Sequence, residues 1–129
     1  KKTDSLYDIL YIGLIRSREI LYKNIEQRVK IQFASGYPEE VKWLLDNGYS
    51  PKLSALQGFG YRELINFFNS HCSFSEAIYD DIKHTKTFSR KQMTWFKHFE
   101  PIHWFDLDTS TTTKTLDDIL NKTKEHIGQ

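Results

Sequence analysis

Residues 6–14 form a short, nearly continuous run of aliphatic and aromatic side chains, and this run restricts the possible folds more than any other feature. Such a run is typical of a strand that is buried on both faces in a parallel sheet. One strand cannot form a sheet alone, so its partners must lie outside this chain or in a second short candidate at residues 103–107. We therefore expect a mainly α-helical chain whose N-terminal strand belongs to a sheet that lies largely outside it.

Five helices are predicted from apolar spacing and from helix-end signals. Ser73 and Glu76 have the spacing of a capping box at the start of the longest helix. The buried face of the first helix is predicted from four apolar side chains that recur every four residues: Leu21, Ile25, Val29 and Phe33. The predicted helices cover residues 17–35, 38–48, 54–69 with interruptions at Gly58 and Gly60, 74–99, and 115–127.

A polar stretch at residues 109–113 separates the last predicted helix from the preceding chain. The chain has 129 residues, which is the size of one typical domain. We expect a compact part over residues 1–108, followed by a polar linker and a C-terminal helix over residues 109–129.

Composition excludes several classes of protein. Apolar residues make up 39% and charged residues 27%, the balance of a globular protein. No apolar run approaches the roughly 20 residues that cross a bilayer, and the first residues do not resemble a signal peptide, so no membrane attachment is expected. The single cysteine, Cys72, rules out an internal disulfide and an all-cysteine metal site and favours a reducing, cytoplasmic setting.

The common catalytic and metal motifs are missing from the sequence. It contains no phosphate loop of the form G-x-x-x-x-G-K-[ST], no H-E-x-x-H and no paired Cys/His spacing. The acidic pairs at residues 80–81 and 117–118 are expected in the first turns of helices, where carboxylates interact favourably with the helix dipole. We therefore expect no catalytic residues and no metal site within this chain.

A basic stripe is predicted on the longest helix. The formal net charge is only +1, yet residues 83–97 contain five basic residues and no acidic one. At 100° per residue, Lys83, Lys86, Arg90 and Lys97 fall within an arc about 60° wide. The stripe is either a solvated basic face or a surface for a polyanion such as nucleic acid. The aromatic side chains Trp95 and Phe96 suit RNA bases, or else they belong to the core.

Arg28 shares a face of the first helix with the apolar residues Leu21 and Ile25. A cation at the edge of a core needs an anionic partner, and Glu26 lies two residues away on another face. A bound phosphate or diphosphate would pair well with the guanidinium, and so would a buried or inter-domain salt bridge.

Residues 57–62 contain two glycines at the start of a helix. Gly58 and Gly60 permit a close backbone approach where free N–H groups favour a phosphate, although an ordinary helix-entry turn explains them equally. The segment is not a dinucleotide-binding fingerprint, because Glu63 stands at the third glycine position and no strand precedes it.

Five segments, in order, resemble the C-terminal half of the bacterial tRNA dimethylallyltransferases, also called tRNA isopentenyltransferases. They are residues 13–19, 25–28, 36 with 39–41, 58–63 and 90–96. The resemblance covers about residues 7–106 and implies a P-loop-type α/β core of which most lies outside this chain. One departure is that Arg90 precedes Lys91, where the family usually has lysine before arginine, so Lys91 lacks the planar fork for a bidentate contact next to Gln92.

The resemblance implies a function in tRNA modification. The family transfers a dimethylallyl group from dimethylallyl diphosphate to N6 of the adenosine 3′ of the anticodon, after flipping that base into a channel. It implies diphosphate binding by Arg28, with Arg18, and contact with the tRNA anticodon stem-loop by two segments. These are Gln57, Gly58, Phe59, Gly60, Tyr61 and Arg62, followed by Arg90, Lys91, Gln92, Met93, Thr94, Trp95, Phe96 and Lys97.

The family's phosphate loop, its general-base aspartate and its Mg²⁺ belong to the part that precedes this segment. We therefore expect residues 1–108 to be the C-terminal part of the transferase core in a monomeric enzyme, and the 129-residue chain alone to be inactive. In isolation, the unpaired apolar strand edge would favour association. The alternative is a free-standing helical module that binds RNA or a partner without catalysis.

Overall fold

The computed structural model describes residues 7–99 and 101–128. Within them, the chain forms five α-helices, two strands and one short 3₁₀ helix at Ser54–Gln57. The elements are β1 (Tyr11–Ile15), α1 (Arg18–Ala34), α2 (Tyr37–Asp46), α3 (Tyr61–Phe68), α4 (Phe74–Phe96), β2 (Ile102–Asp106) and α5 (Thr112–Ile127). The predicted mainly α fold with an N-terminal strand is confirmed.

The chain divides into two compact units. Residues 1–18 together with 94–129 form one unit, and residues 19–93 form the other. The predicted boundary between residues 108 and 109 stays a prediction.

The first unit contains a two-stranded parallel sheet. Tyr11 of β1 pairs with Ile102 of β2, and the register continues to Ile15 and Asp106. The second strand candidate is therefore confirmed as a partner, one residue earlier than predicted. Burial on both faces is wrong for this chain, because exposed and half-buried positions alternate along β1 and Leu14 is 55% exposed. Residue 6 of the predicted strand lies outside the described residues.

The loops that follow the two strands meet at Asp108. Its carboxylate accepts a hydrogen bond from the Ser17 backbone N–H at 2.6 Å and lies 3.2 Å from the Arg16 guanidinium. These contacts join the start of α1 to the end of β2. Hydrogen bonds from Ser17 hold the pKa of the Asp108 carboxyl below its ordinary value.

Helix α5 begins three residues earlier than predicted, inside the stretch expected to be a linker. The Thr111 hydroxyl accepts a hydrogen bond from the Lys114 backbone N–H at 3.3 Å and caps the helix. The pair at residues 117–118 consequently lies beyond the first turn, and its predicted position there is wrong.

The core of the second unit lies where α1 meets α2, α3 and α4. The predicted α1 face is confirmed, since Ile25, Val29 and Phe33 are buried and Leu21 is half-buried against them. The other helices and the 3₁₀ helix contribute Val41, Leu56, Leu64, Ile65 and Ala77.

Glycines mark the helix boundaries in this unit. Gly36 adopts φ 87° between α1 and α2, a conformation that side chains disfavour. The third predicted helix is interrupted as expected: the 3₁₀ helix ends before Gly58, and α3 begins after Gly60.

The predicted capping box is confirmed. The Ser73 backbone N–H donates to Glu76 at 2.7 Å, and the Glu76 backbone N–H donates to the Ser73 hydroxyl at 3.3 Å. Helix α4 ends at Phe96 rather than Phe99.

Candidate functional site

A cavity of about 410 Å³ opens in the unit of residues 19–93. Its walls come from α1, from Tyr37 at the start of α2, from Phe59 and from α4. The apolar part of the lining includes Leu21, Ile25 and Val29. The polar part contains Arg28, Gln32, Asp81, Thr85, Ser89 and Gln92. The cavity therefore combines an apolar wall with one cation, one carboxylate and several hydrogen-bonding groups.

Arg28 lies at this cavity, as its position on the α1 face indicated. Its side chain is exposed although its neighbours Ile25 and Val29 belong to the core. Within residues 7–99 and 101–128, no carboxylate forms an ion pair with the guanidinium. A salt bridge to another described residue is therefore excluded for Arg28, and an inter-domain salt bridge stays a prediction. Arg18, the other residue assigned to the diphosphate, is exposed at the first position of α1 and does not line the cavity.

Asp81 is the main residue of the cavity that the sequence analysis missed. It lies in the second turn of α4 rather than the first, and only 3% of it is exposed. The Thr85 hydroxyl donates a hydrogen bond to its Oδ1 at 3.1 Å. The signal was present in the spacing, since Asp81 follows the buried Ala77 by four residues and precedes Thr85 by four.

Asp81 titrates in an unusual environment. Burial is the largest influence and raises the pKa of its carboxyl above the ordinary value, and the nearby Glu63 carboxylate acts in the same direction. The Thr85 hydroxyl, Arg28 and His84 oppose that change. The cavity thus contains a carboxylate whose charge is costly to maintain.

The glycine turn at residues 58–60 forms part of the cavity wall. The Tyr37 hydroxyl donates to the Phe59 carbonyl oxygen at 3.1 Å, and the Phe59 ring packs against Phe88 with centroids 5.3 Å apart. A Cβ added to Gly60 would lie 2.6 Å from the Tyr37 ring. The close approach that Gly60 permits is therefore to Tyr37 of the same chain.

Tyr61 and Arg62, both predicted to contact tRNA, have partners within the chain. The Tyr61 hydroxyl donates to Glu40 at 2.6 Å. The Arg62 guanidinium donates to Glu63 at 2.7 Å and lies 3.1 Å from the His84 Nδ1. The guanidinium is thus engaged in an ion pair, and Arg62 is half-buried.

Glu63 organises this turn. In the sequence it is notable only because it stands where a dinucleotide-binding fingerprint has its third glycine. Its carboxylate is 3% exposed, accepts from the Gly60 backbone N–H at 2.8 Å, and lies 2.8 Å from the His84 Nδ1. Burial opposes ionisation, but the hydrogen bonds from Arg62, His84 and Gly60 together hold the pKa of Glu63 below its ordinary value.

The basic stripe is partly neutralised by an acid from α1. Lys86 forms an ion pair with Glu26, and its ammonium lies 5.1 Å from the centre of the Tyr22 ring. The hydrogen bond from Lys86 lowers the pKa of Glu26. Arg90 donates to the Tyr22 hydroxyl at 3.3 Å. An acid from a distant part of the chain therefore balances the stripe at Lys86.

The predicted tRNA segment at residues 90–97 is divided between the units. In the unit of residues 19–93, Lys91 is exposed, Gln92 lines the cavity, and Met93 is half-buried. In the other unit, Trp95 is 59% exposed and stacks edge-on against Phe99 with centroids 4.5 Å apart. The core explanation of Trp95 and Phe96 is wrong, because both side chains are exposed.

Residues 7–99 and 101–128 contain no cluster of three or more His, Cys, Asp or Glu side chains that could hold a metal ion. In the same residues, no helix is long and apolar enough to cross a membrane.

Two solved structures with a similar fold are described as tRNA isopentenylpyrophosphate transferases. A tRNA Δ(2)-isopentenylpyrophosphate transferase from Staphylococcus epidermidis superposes with a TM-score of 0.85 at 31% identity, over 92% of this chain and 39% of that one. The full-length tRNA isopentenylpyrophosphate transferase from Bacillus halodurans gives a TM-score of 0.85 at 28% identity, over 98% of this chain and 43% of that one. The chain therefore has the fold of a segment of these two transferases.

The chain belongs to the IPP transferase family, whose model matches residues 1–99. The tRNA dimethylallyltransferase of Pelotomaculum thermopropionicum is 39% identical over 105 residues, and that of Alkaliphilus oremlandii is 38% identical over 123 residues. These matches cover 81% and 95% of this chain but only 33% and 39% of the relatives. The chain thus spans less than half the length of the curated relatives that it matches, and the resemblance seen in the sequence is confirmed.

Proposed function

We propose that this chain is the C-terminal part of an enzyme that modifies tRNA. The enzyme transfers a dimethylallyl group from dimethylallyl diphosphate to N6 of the adenosine 3′ of the anticodon. The observation that carries the proposal is Arg28, a cation without an ion-pair partner in the described chain, which lines a cavity in a member of the IPP transferase family.

The chemistry of the cavity suits a prenyl diphosphate. A guanidinium presents a planar fork that binds phosphate oxygens in a bidentate way. Leu21, Ile25 and Val29 line the same cavity with aliphatic carbon, which suits a five-carbon prenyl group and excludes water from it. Arg28 would hold the diphosphate, and we assign Arg18 to the same anion as a secondary cation.

The tRNA contacts are proposed at residues 57–62 and 90–97. Phe59 is 40% exposed at the cavity and Trp95 is 59% exposed in the other unit, so both rings offer a face on which an unpaired base could stack. Lys91 offers an exposed cation for a backbone phosphate. Tyr61 and Arg62 would act mainly by holding the shape of the turn, because both are engaged internally.

The remaining catalytic groups belong to the rest of the proposed enzyme. The phosphate loop, the general base and the Mg²⁺ site would come from the part that precedes this segment, since residues 7–99 and 101–128 contain no acidic cluster suited to a metal. The isolated 129-residue chain would consequently not transfer prenyl groups. We place the intact enzyme in the cytoplasm as a monomer that acts on the anticodon stem-loop.

Kinetics of the enzyme encoded by the complete reading frame test the proposal. Arg28→Ala should raise the KM for dimethylallyl diphosphate by about 10- to 100-fold, the worth of one charge-assisted contact, while the Kd for tRNA changes less than about twofold. The matched control is Lys30→Ala, which removes an exposed cation of the same helix that does not line the cavity. An unchanged KM in Arg28→Ala would contradict the assignment.

The reading frame itself distinguishes the enzyme from a free-standing RNA-binding module. The enzyme requires a G-x-x-x-x-G-K-[ST] phosphate loop encoded upstream of residue 1. The module requires tight, salt-dependent binding of the anticodon stem-loop by the 129-residue chain alone and no prenyl transfer by the complete product.

A further inference from the structure

The cavity that contains Arg28 also contains a buried negative charge. Asp81 is 3% exposed and lines the cavity, yet it forms no ion pair with Arg28 or with any other described cation. It accepts a hydrogen bond from the Thr85 hydroxyl at 3.1 Å. A buried carboxylate without a direct ion pair lowers stability, so its presence opposite a phosphate-binding group requires an explanation.

The groups around Asp81 come from four helices. Arg28 of α1 and His84 of α4 favour the ionised carboxylate, whereas Glu63 of α3 opposes it. The Tyr37 hydroxyl of α2 also interacts electrostatically with Asp81. The His84 ring and Glu63 already bond each other, which leaves Arg28 as the cation that shares the cavity with Asp81.

A diphosphate in this cavity would meet both charges. Arg28 attracts it, and Asp81 repels it from a position that is itself buried, where charges are screened less than in water. Asp81 makes no direct bond to the guanidinium, so its influence on a ligand held by Arg28 is electrostatic.

We infer that Asp81 limits the affinity of the cavity for the diphosphate anion and so favours release of the diphosphate product. The inference rests on the proposed function, in which Arg28 binds that anion. Asp81 acts on the ligand through the electric field and not by contact, so its effect depends on its own ionisation.

This dependence gives the proposal a pH signature. Burial raises the pKa of Asp81, so the carboxylate loses its charge at a higher pH than an ordinary aspartate. As the pH falls, Asp81 takes up a proton and the repulsion disappears. The affinity of the native protein for the diphosphate then approaches that of a variant with a neutral residue 81. A purely structural role of Asp81 would not produce this convergence.

The test is a calorimetric titration of the enzyme of the complete reading frame with inorganic pyrophosphate at constant ionic strength. Asp81→Asn keeps an oxygen that accepts from Thr85 and removes the charge. We expect it to bind pyrophosphate about five- to tenfold more tightly than the native enzyme at neutral pH, and equally in mild acid. Asp80→Asn, the matched control one residue outside the cavity lining, should bind like the native enzyme at both pH values.

The Kd of the native protein is divided by the Kd of Asp81→Asn at the same pH. The protonation of pyrophosphate does not affect this ratio, because both proteins bind the same ligand. Equal affinities at neutral pH, weaker binding by Asp81→Asn, or no saturation in either protein would overturn the inference. Loss of binding in Arg28→Ala together with equal affinities in Asp81→Asn would overturn only the role of Asp81. Unchanged binding in Arg28→Ala would overturn the proposed function as well.

Discussion

The buried carboxylate of Glu63 accepts a hydrogen bond from the backbone N–H of Gly60 at 2.8 Å. This contact caps α3 from its third residue, because Gly60 has no side chain that could do so. The same carboxylate pairs with Arg62 and His84. This one carboxylate therefore links the turn that forms one wall of the cavity to side chains of α3 and α4.

Substitution of Glu63 by alanine should be strongly destabilising. The Gly60 backbone N–H would lose its acceptor, and the Arg62 and His84 side chains, 41% and 40% exposed, would lose their carboxylate partner, which should cost about 1 to 3 kcal/mol. Urea unfolding of Glu63→Ala and of the exposed control Glu19→Ala gives the comparison, and the control should stay within about 0.5 kcal/mol of the native chain. A loss below about 1 kcal/mol in Glu63→Ala would contradict this role.

Glu63 also predicts the direction of a pH effect on stability. Its pKa is lower in the folded protein than in the unfolded chain, so the carboxylate stabilises the fold above its ordinary pKa. This contribution is lost as the pH falls through the folded pKa of Glu63. Urea midpoints measured from neutral to acidic pH should therefore fall more steeply in the native chain than in Glu63→Gln.

Alanine substitutions at Gly60 and Gly36 distinguish the energetic cost of backbone strain from that of steric overlap. Both adopt a positive φ, 83° and 87°, but a Cβ at Gly60 would lie 2.6 Å from the Tyr37 ring, whereas a Cβ at Gly36 meets nothing within 4 Å. Gly36→Ala should cost about 1 kcal/mol from strain alone. Gly60→Ala should cost about 1 to 3 kcal/mol more because Tyr37 must move. Equal unfolding free energies in the two variants would contradict the overlap.

Local signals were sufficient for much of the fold. The four-residue spacing of Ile25, Val29 and Phe33, the box of Ser73 with Glu76, and the glycine at residue 36 are all properties of neighbouring residues, and the structure confirms them. Such signals do not depend on how the helices pack. The predicted end of α4 and the predicted start of α5 were less accurate. Helix ends fray, and more than one residue within a turn can serve as the cap.

The site depended on contacts between distant residues. Lys86 and Glu26 are 60 residues apart in the chain, so no local pattern indicated their ion pair. From the sequence alone, Asp81 is expected in the first turn of a helix, where it would interact with the helix dipole. Packing of α4 against α1 and α3 instead buries it. Arg28 could be identified from the sequence because the helical spacing that puts it on an apolar face involves only neighbouring residues. The absence of a salt-bridge partner in the described chain depends on the tertiary structure and could not be predicted in this way.

Lys91 and Lys86 offer a matched pair for the proposed tRNA surface. Lys91 is exposed, whereas Lys86 already pairs with Glu26. In the enzyme of the complete reading frame, Lys91→Ala should weaken binding of the anticodon stem-loop and reduce the slope of log K against log salt by about 0.7 to 0.9, the value for one phosphate contact. Lys86→Ala should change the slope less. Equal slopes in native and Lys91→Ala enzyme would remove Lys91 from the interface.

Gly13 controls the pairing of the two strands. It lies opposite Trp104 in the parallel register, and a Cβ at residue 13 would be 2.5 Å from the Trp104 ring and 2.8 Å from the Ile102 side chain. Gly13→Ala should therefore force the strands apart and cost about 1 to 3 kcal/mol. Gly58→Ala, whose Cβ would lie no closer than 3.6 Å to another atom, is the control.

Amide hydrogen exchange measures the effect where it occurs. The Leu107 backbone N–H donates to the Ile15 carbonyl oxygen at 2.9 Å and should exchange faster in Gly13→Ala but not in Gly58→Ala. Trp104→Ala combined with Gly13→Ala removes the larger of the two obstacles and should restore part of the protection. If Gly13→Ala leaves the exchange of Leu107 unchanged, the close packing of Trp104 over residue 13 is not what sets the strand spacing.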